Sequence, residues 1–147
     1  MKIIYYDEKY LNLCANLLIT HYNQDEFKCQ FTKQRACAYL QEHIFKPRFI
    51  GFLLLENDQL IGFAFCHMRT WSNKDELHID EFIIDKHYQR KGLGSKLLDF
   101  IGLYGANFSL GGITSSTNVI ALTQFYQKND FLTHDITFLY KGLEKIN

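Results

Sequence analysis

The chain has 147 residues, 47% of them hydrophobic and 22% charged, which is the balance of a folded domain and not of a disordered tail. Sixteen basic residues offset sixteen acidic ones, so net charge gives no reason to expect nucleic acid or an anionic membrane as partner. No apolar run approaches the roughly 20 residues that span a bilayer, and Met1 to Asp7 lacks the apolar core of a signal peptide. A single cytoplasmic domain over residues 1–147 is expected. The four cysteines, Cys14, Cys29, Cys37 and Cys66, form no Cys-x-x-Cys pair and read as free thiols in a reducing compartment. His67, His78, His87 and His134 show no ligand spacing, so no metal is expected.

In chain order, Lys2 to Tyr6 reads as a short strand. Glu8 to Tyr22 reads as a helix with Asp7 as its cap and Leu11, Ala15, Leu18 and Ile19 on one face. Thr32 caps a second helix that runs to Phe45. The one proline, Pro47, separates that helix from a strand pattern. Phe49 to Glu56 and Gln59 to Thr70 are apolar runs around Asn57-Asp58, a turn signal, and read as a hairpin of buried strands. Trp71 to Glu76 is a polar loop, and Leu77 to Asp85 is the next strand. A helix follows from Leu93 to Tyr104, a glycine-containing strand over Asn107 to Ser115, and a helix over Asn118 to Asn129. Phe131 to Leu132 and Ile136 to Tyr140 read as closing strands. This order predicts a mixed α/β sheet covered by helices, with the strands on either side of the Leu93 helix parallel through a right-handed crossover.

The segment Gln89-Arg90-Lys91-Gly92-Leu93-Gly94-Ser95 joins a strand to a helix. A turn of this kind leaves several backbone N–H groups without helical partners, pointing one way, with the helix dipole behind them. Arg90 and Lys91 add positive charge. The chemistry suits phosphate oxygens, and a pyrophosphate best of all. The segment is not a P-loop, because Gly94-Ser95-Lys96 has the wrong order. It is not a dinucleotide fingerprint either, because position 97 is leucine where a third glycine is needed.

Gln89-x-x-Gly92-x-Gly94, between a strand and a helix, resembles the acetyl-CoA pyrophosphate loop of the GNAT superfamily of N-acetyltransferases. The downstream pattern Asn118-x-x-Ala121-x-x-x-Phe125-Tyr126-x-Lys128-x-x-Phe131 is similar to that family's later helix. The resemblance covers essentially the whole chain and is least informative before Phe49. Lys86 and Arg90 stand where many relatives carry proline and glycine, and Asp130-Phe131 stands where Gly-Phe is frequent.

The resemblance implies the GNAT acyl-CoA N-acyltransferase fold: a mostly antiparallel central sheet with a splayed parallel pair and helices on both faces. It implies acetyl-CoA as co-substrate, held by Gln89, Arg90, Lys91, Gly92, Leu93, Gly94 and Ser95. Phe82, Ile83 and Ile84 would offer backbone groups to the pantetheine arm. Asn118, which also suits a helix N-cap, would meet the same arm. Tyr126, otherwise a core aromatic, would protonate the leaving thiolate.

An alkyl ammonium of pKa ~10.4 lies about 3.4 pH units above neutrality, so freeing its lone pair costs about 4.6 kcal/mol. A carboxylate beside the thioester would meet that need. Glu81 is the favoured base and Asp80 the alternative, with His67 and His78 behind them. Adjacent strand residues point to opposite faces, so only one of the two carboxylates is expected in the cleft.

The expected reaction is acetyl transfer to a primary amine, small molecule or peptide, by direct attack without an acetyl-enzyme. Glu8, Asp25, Glu26, Asp75 and Glu76 could attract a cationic acceptor. The alternatives are a non-catalytic acyl-CoA-binding module of the same fold, or a transferase using another acyl donor. The resemblance also permits a homodimer.

Overall fold

The computed structural model describes residues 1–24, 27–117 and 120–143. They fall into two compact units, Met1–Ser116 and Thr117–Asn147.

In the first unit the elements follow the order β1 (Lys2–Tyr5), α1 (Leu11–Tyr22), α2 (Lys33–Ile44), β2 (Phe49–Glu56), β3 (Gln59–Arg69), β4 (Glu76–Ile84), α3 (Leu93–Asn107) and β5 (Gly112–Thr114). The strands form one sheet in sequence order, antiparallel throughout except for the parallel β4–β5 pair. Local chemistry accounts for most of the boundaries. Asp7 caps a 3₁₀ turn over Glu8–Tyr10, accepting from the Lys9 N–H at 3.0 Å, so the α-helix proper begins at Leu11 and not at Glu8. Thr32 accepts from the Arg35 N–H at 3.2 Å and opens α2. Asn57 and Asp58 both adopt positive φ, 50° and 62°, the signature of a type I′ hairpin turn, and Glu56 pairs with Gln59 across it.

The sheet buries both faces. On one, Leu53, Phe63, Phe65 and Ile83 pack against Cys14, Ala15 and Leu18 of α1 and Ala36 and Leu40 of α2. On the other, the ring of Phe52 meets Phe100 and Tyr104 of α3, and Leu97 and Ile101 are fully buried. Helices therefore cover both faces, as the family resemblance implied.

Three departures from the sequence reading matter. The strand expected over Asn107 to Ser115 shrinks to Gly112–Thr114, because α3 runs on to Asn107 and ends in a Schellman turn. Ser109 takes φ 55°, Leu110 N–H donates to the Gly105 carbonyl and Ser109 N–H to that of Ala106. The turn consumes the residues that the strand pattern had claimed.

The second departure lies in β4. Phe65 pairs with Glu81 but Cys66 pairs with Ile79, which leaves Asp80 as the extra residue of a β-bulge. The bulge resets the alternation of side chains. Asp80 binds Lys46 and His67, and Glu81 binds Tyr22 of α1 and Tyr39 of α2. Both carboxylates therefore face the α1–α2 side, contrary to the strict alternation expected from sequence.

The third concerns the second unit. It contains α4 (Ile120–Lys128), and residues 129–143 form no strand ladder. The closing strands expected at Phe131 to Leu132 and Ile136 to Tyr140 are absent among the described residues. Alternating apolar residues supply a strand's pattern, but a strand exists only where a second edge accepts its hydrogen bonds.

Candidate active site

The glycine turn begins where β4 ends. Asp85 caps a 3₁₀ turn over Lys86–Tyr88 through the His87 N–H at 2.9 Å. Gln89 then turns its side-chain amide back to donate to the Ile84 carbonyl at 2.9 Å, bracing the loop against the strand. Arg90 and Gly92 take φ of 62° and 77°, while Lys91 between them does not have positive φ. Backbone of alternating hand turns successive N–H groups into a concave nest for anions. Arg90 takes left-handed backbone, a conformation uncommon for a side-chain-bearing residue.

Gly92 is the N-cap of α3, and the first helical bond runs from Lys96 N–H to the Gly92 carbonyl at 3.1 Å. The N–H groups of Leu93, Gly94 and Ser95 thus have no partner within the helix, and its first turn carries no acidic side chain to compete with an anion. Lys91 lies over the ring of Tyr88, 5.3 Å from its centroid, at the edge of the same turn.

Beside this loop the sheet opens. β4 runs from Glu76 to Ile84, but β5 pairs only with Glu76, Leu77 and His78. The β4 edge leading through Phe82, Ile83 and Ile84 to the loop extends beyond the reach of β5. At the apex of this fork the His78 ring meets the Thr114 hydroxyl at 2.7 Å, and the Asp80 bulge lies two residues further along. A cleft of about 200 Å³ runs along the end of β4, between Leu17, Thr20 and His21 of α1, with Gln24 just beyond that helix, and residues Ile83 to His87 and Gln89.

The two carboxylates at the bulge sit in opposite electrostatic settings. Glu81 is 4% exposed. The Tyr22 hydroxyl donates to its carboxylate at 2.9 Å and the Tyr39 hydroxyl makes a short bond to it. Burial pushes the Glu81 carboxyl above the usual carboxylate range, the negative charge of Asp80 adds to that, and the two phenols only partly offset it. Burial would raise Asp80 as well. There, hydrogen bonds from Lys46 at 2.8 Å and His67 at 2.7 Å outweigh it and hold the carboxyl low. His78 is pushed below the usual imidazole range, chiefly by burial. Cys14 and Cys66 are both buried, and that burial raises the thiols, Cys14 to about 12, so neither carries a thiolate near neutral pH.

In the second unit Tyr126 sits on α4, whose end is a complete Schellman turn. Phe131 N–H donates to the Tyr126 carbonyl, Asp130 N–H donates to that of Gln127, and Asp130 takes φ 70°. The ring of Phe131 packs on Tyr126 at 5.1 Å, the apolar contact that accompanies this motif. Asp130 thus performs a turn that glycine usually makes. Asp130→Gly is expected to stabilise this turn by about 0.5–1 kcal/mol, by removing a Cβ from left-handed backbone. Denaturant melts of the two proteins check it. Asn118 lies outside the described residues.

Comparison with known proteins interprets this geometry. The profile of the acetyltransferase (GNAT) family matches residues 15–131, well over half of the chain. The chain belongs to that family. It is 36% identical over 89 residues to a probable spermine N(1)-acetyltransferase of Bacillus subtilis subsp. natto (strain BEST195). That match spans 57% of this chain and 56% of the relative, so the chain matches little more than half the length of that curated protein. Among solved structures, a possible acetyltransferase from Clostridium difficile 630 superposes with a TM-score of 0.81 at 14% identity, covering 98% of each chain. An aminoglycoside N-acetyltransferase in complex with CoA superposes with a TM-score of 0.76 at 14% identity, covering 96% of this chain and 93% of the other. At such identities these two structures establish a shared fold.

Sequence reading of this GNAT chain missed Tyr22, Tyr39 and Lys46. They lie on or just after helices far from β4 in sequence, with no motif to join them to Asp80 and Glu81. The bulge that turns both carboxylates to one side left no signature either.

Proposed function

We propose that the protein transfers the acetyl group of acetyl-CoA to a primary amine by direct attack within a ternary complex. The observation that carries this reading is the conjunction of an anion nest at Arg90–Gly92 with a β4 edge that outruns β5. The nest and the first N–H groups of α3, at Leu93, Gly94 and Ser95, suit the pyrophosphate, with Arg90 and Lys91 supplying charge and Gln89 bracing the turn. The edge at Phe82, Ile83 and Ile84 suits an extended arm that adds hydrogen bonds as another strand would, with Asn118 as a further partner. A CoA-bound structure of the same fold supports the same ligand.

Glu81 takes the proton of the attacking ammonium, directly or through water, and its raised carboxyl makes it the better base of the pair. Backbone N–H groups of β4 polarise the thioester carbonyl as it becomes an oxyanion. Tyr126 protonates the departing thiolate, the role that the family resemblance implies for it. Buried, un-ionised thiols favour direct attack over an acetyl-enzyme. The acceptor is an amine of the kind named for the relatives, a polyamine such as spermine or an aminosugar.

Release of free CoA thiol from acetyl-CoA, measured against spermine, an aminoglycoside and a lysine peptide, tests the reading. Amine-dependent release is expected with at least one of them. Binding of acetyl-CoA with no release for any amine would replace the transferase by an acyl-CoA-binding module.

A further inference from the structure

A primary ammonium already stands at the bulge. Lys46 follows α2, and its side chain reaches β4, where Nζ lies 2.8 Å from Asp80 Oδ1. The Asp80 side chain is only 6% exposed, whereas that of Lys46 keeps 35% of its surface open to solvent. His67 holds the other carboxylate oxygen at 2.7 Å, and Glu81 follows directly in sequence on the same side of the sheet. The remaining lysines with described partners are engaged elsewhere. Lys2 pairs with Asp58, Lys9 lies over Tyr10, Lys33 binds Asn16 and Lys91 lies over Tyr88. Among the described residues, Lys46 is thus the one lysine bound to the bulge of β4.

The side chain of Lys46 is an alkyl amine, the chemical class of the acceptor proposed above, and it is held on Asp80, the residue that directly precedes the proposed base Glu81 and faces the same side of the sheet. We propose that Lys46 is a self-acetylation site of this protein, modified at Nζ by bound acetyl-CoA when no external amine is present. The proposal rests on the acetyltransferase reading.

The step balances without any further reagent. The Lys46 ammonium gives one proton to the Asp80 carboxylate and thence to water. Its Nζ lone pair attacks the thioester carbonyl, an N–C bond forms, and the C–S bond breaks. A second proton leaves nitrogen as the amide forms, and the thiolate takes up one proton to leave as free CoA. The amide product carries no charge, so acetylation removes the ion pair with Asp80 and leaves that carboxylate to His67.

The test is incubation of the intact protein with isotopically labelled acetyl-CoA and no added amine, followed by peptide mass mapping. Proximity predicts acetylation of Lys46 about tenfold or more above any other lysine. An added amine substrate is expected to slow it, and Gly92→Val is expected to slow it by about 100-fold at acetyl-CoA concentrations below saturation. Acetyl groups spread over exposed lysines, with the same pattern in heat-denatured protein, would overturn the proposal. So would an unlabelled Lys46 in protein that still acetylates added amines, a result that leaves the transferase reading intact. Failure to bind acetyl-CoA, with no transfer to any amine, would remove both.

Discussion

Gly92→Val is expected to weaken association with acetyl-CoA by about 100-fold, with the fold retained. Gly92 stands at φ 77°, and a Cβ placed there meets no atom within 4 Å. The substitution therefore creates no clash, and its cost is conformational. Left-handed backbone costs a side-chain-bearing residue about 1–2 kcal/mol, and more for a β-branched one. The loop can relieve that cost by rotating out of the left-handed region, but rotation points the N–H groups away from the pyrophosphate. Charge-assisted bonds to phosphate contribute about 1.5–3 kcal/mol each, so losing one with some residual strain accounts for the expected factor. Titration calorimetry with acetyl-CoA, alongside a thermal melt of the free protein, measures it. An affinity equal to that of the parent protein would remove the pyrophosphate from this loop, and with it the proposed orientation of the cofactor.

Glu81→Gln is expected to lower kcat by about 100-fold or more while leaving acetyl-CoA affinity unchanged. The amide keeps the shape and one acceptor oxygen for Tyr22 or Tyr39, but it cannot take up a proton. The pH dependence adds a second readout. Burial holds the Glu81 carboxyl above the usual range, so the acid limb of the parent's rate profile should lie above that of an ordinary carboxylate, with rate rising as Glu81 ionises. That limb should vanish in the variant.

Stability should follow the same group with opposite sign. A carboxyl raised in the folded state contributes stability that is full below its unfolded pKa of about 4.3 and is lost as pH rises through the folded value. Asp80, held low, contributes stability present above the unfolded range and lost on acidification through its folded value. Glu81→Gln should therefore gain on the parent as pH rises from about 4 toward neutrality, as denaturant melts at several pH values would show. An unchanged kcat and pH profile would assign the proton to another group, with Asp80 and its imidazole partners next in line.

Much of the architecture can be read along the chain, because its signals are local. Asp7 and Thr32 announce helix starts, since a short side-chain oxygen satisfies N–H groups that the helix cannot. Asn57-Asp58 announces the hairpin, since these residues tolerate positive φ. Gln89 to Ser95 announces the glycine turn for the same kind of reason: its shape depends on the backbone angles of consecutive residues. Where two local signals competed, the stronger one set the boundary. The Schellman turn at Ser109 took residues from the expected strand, and Asp130 could stand in for glycine because aspartate also enters left-handed backbone.

The carboxylate site belongs to a different class of information. Tyr22, Tyr39, Lys46 and His67 reach Asp80 and Glu81 from two helices, a connecting turn and a neighbouring strand, and nothing in their spacing marks them as partners. Their meeting depends on how α1 and α2 pack over the sheet and on one extra residue in β4 that reverses the expected facing of Asp80. Residue types and short-range order thus disclosed the family and the glycine turn that opens α3. The opposite pKa shifts of the two acids came from burial and from charges distant in the chain, because solvent exclusion and Coulomb interactions depend on distance in space, to which sequence separation is a poor guide.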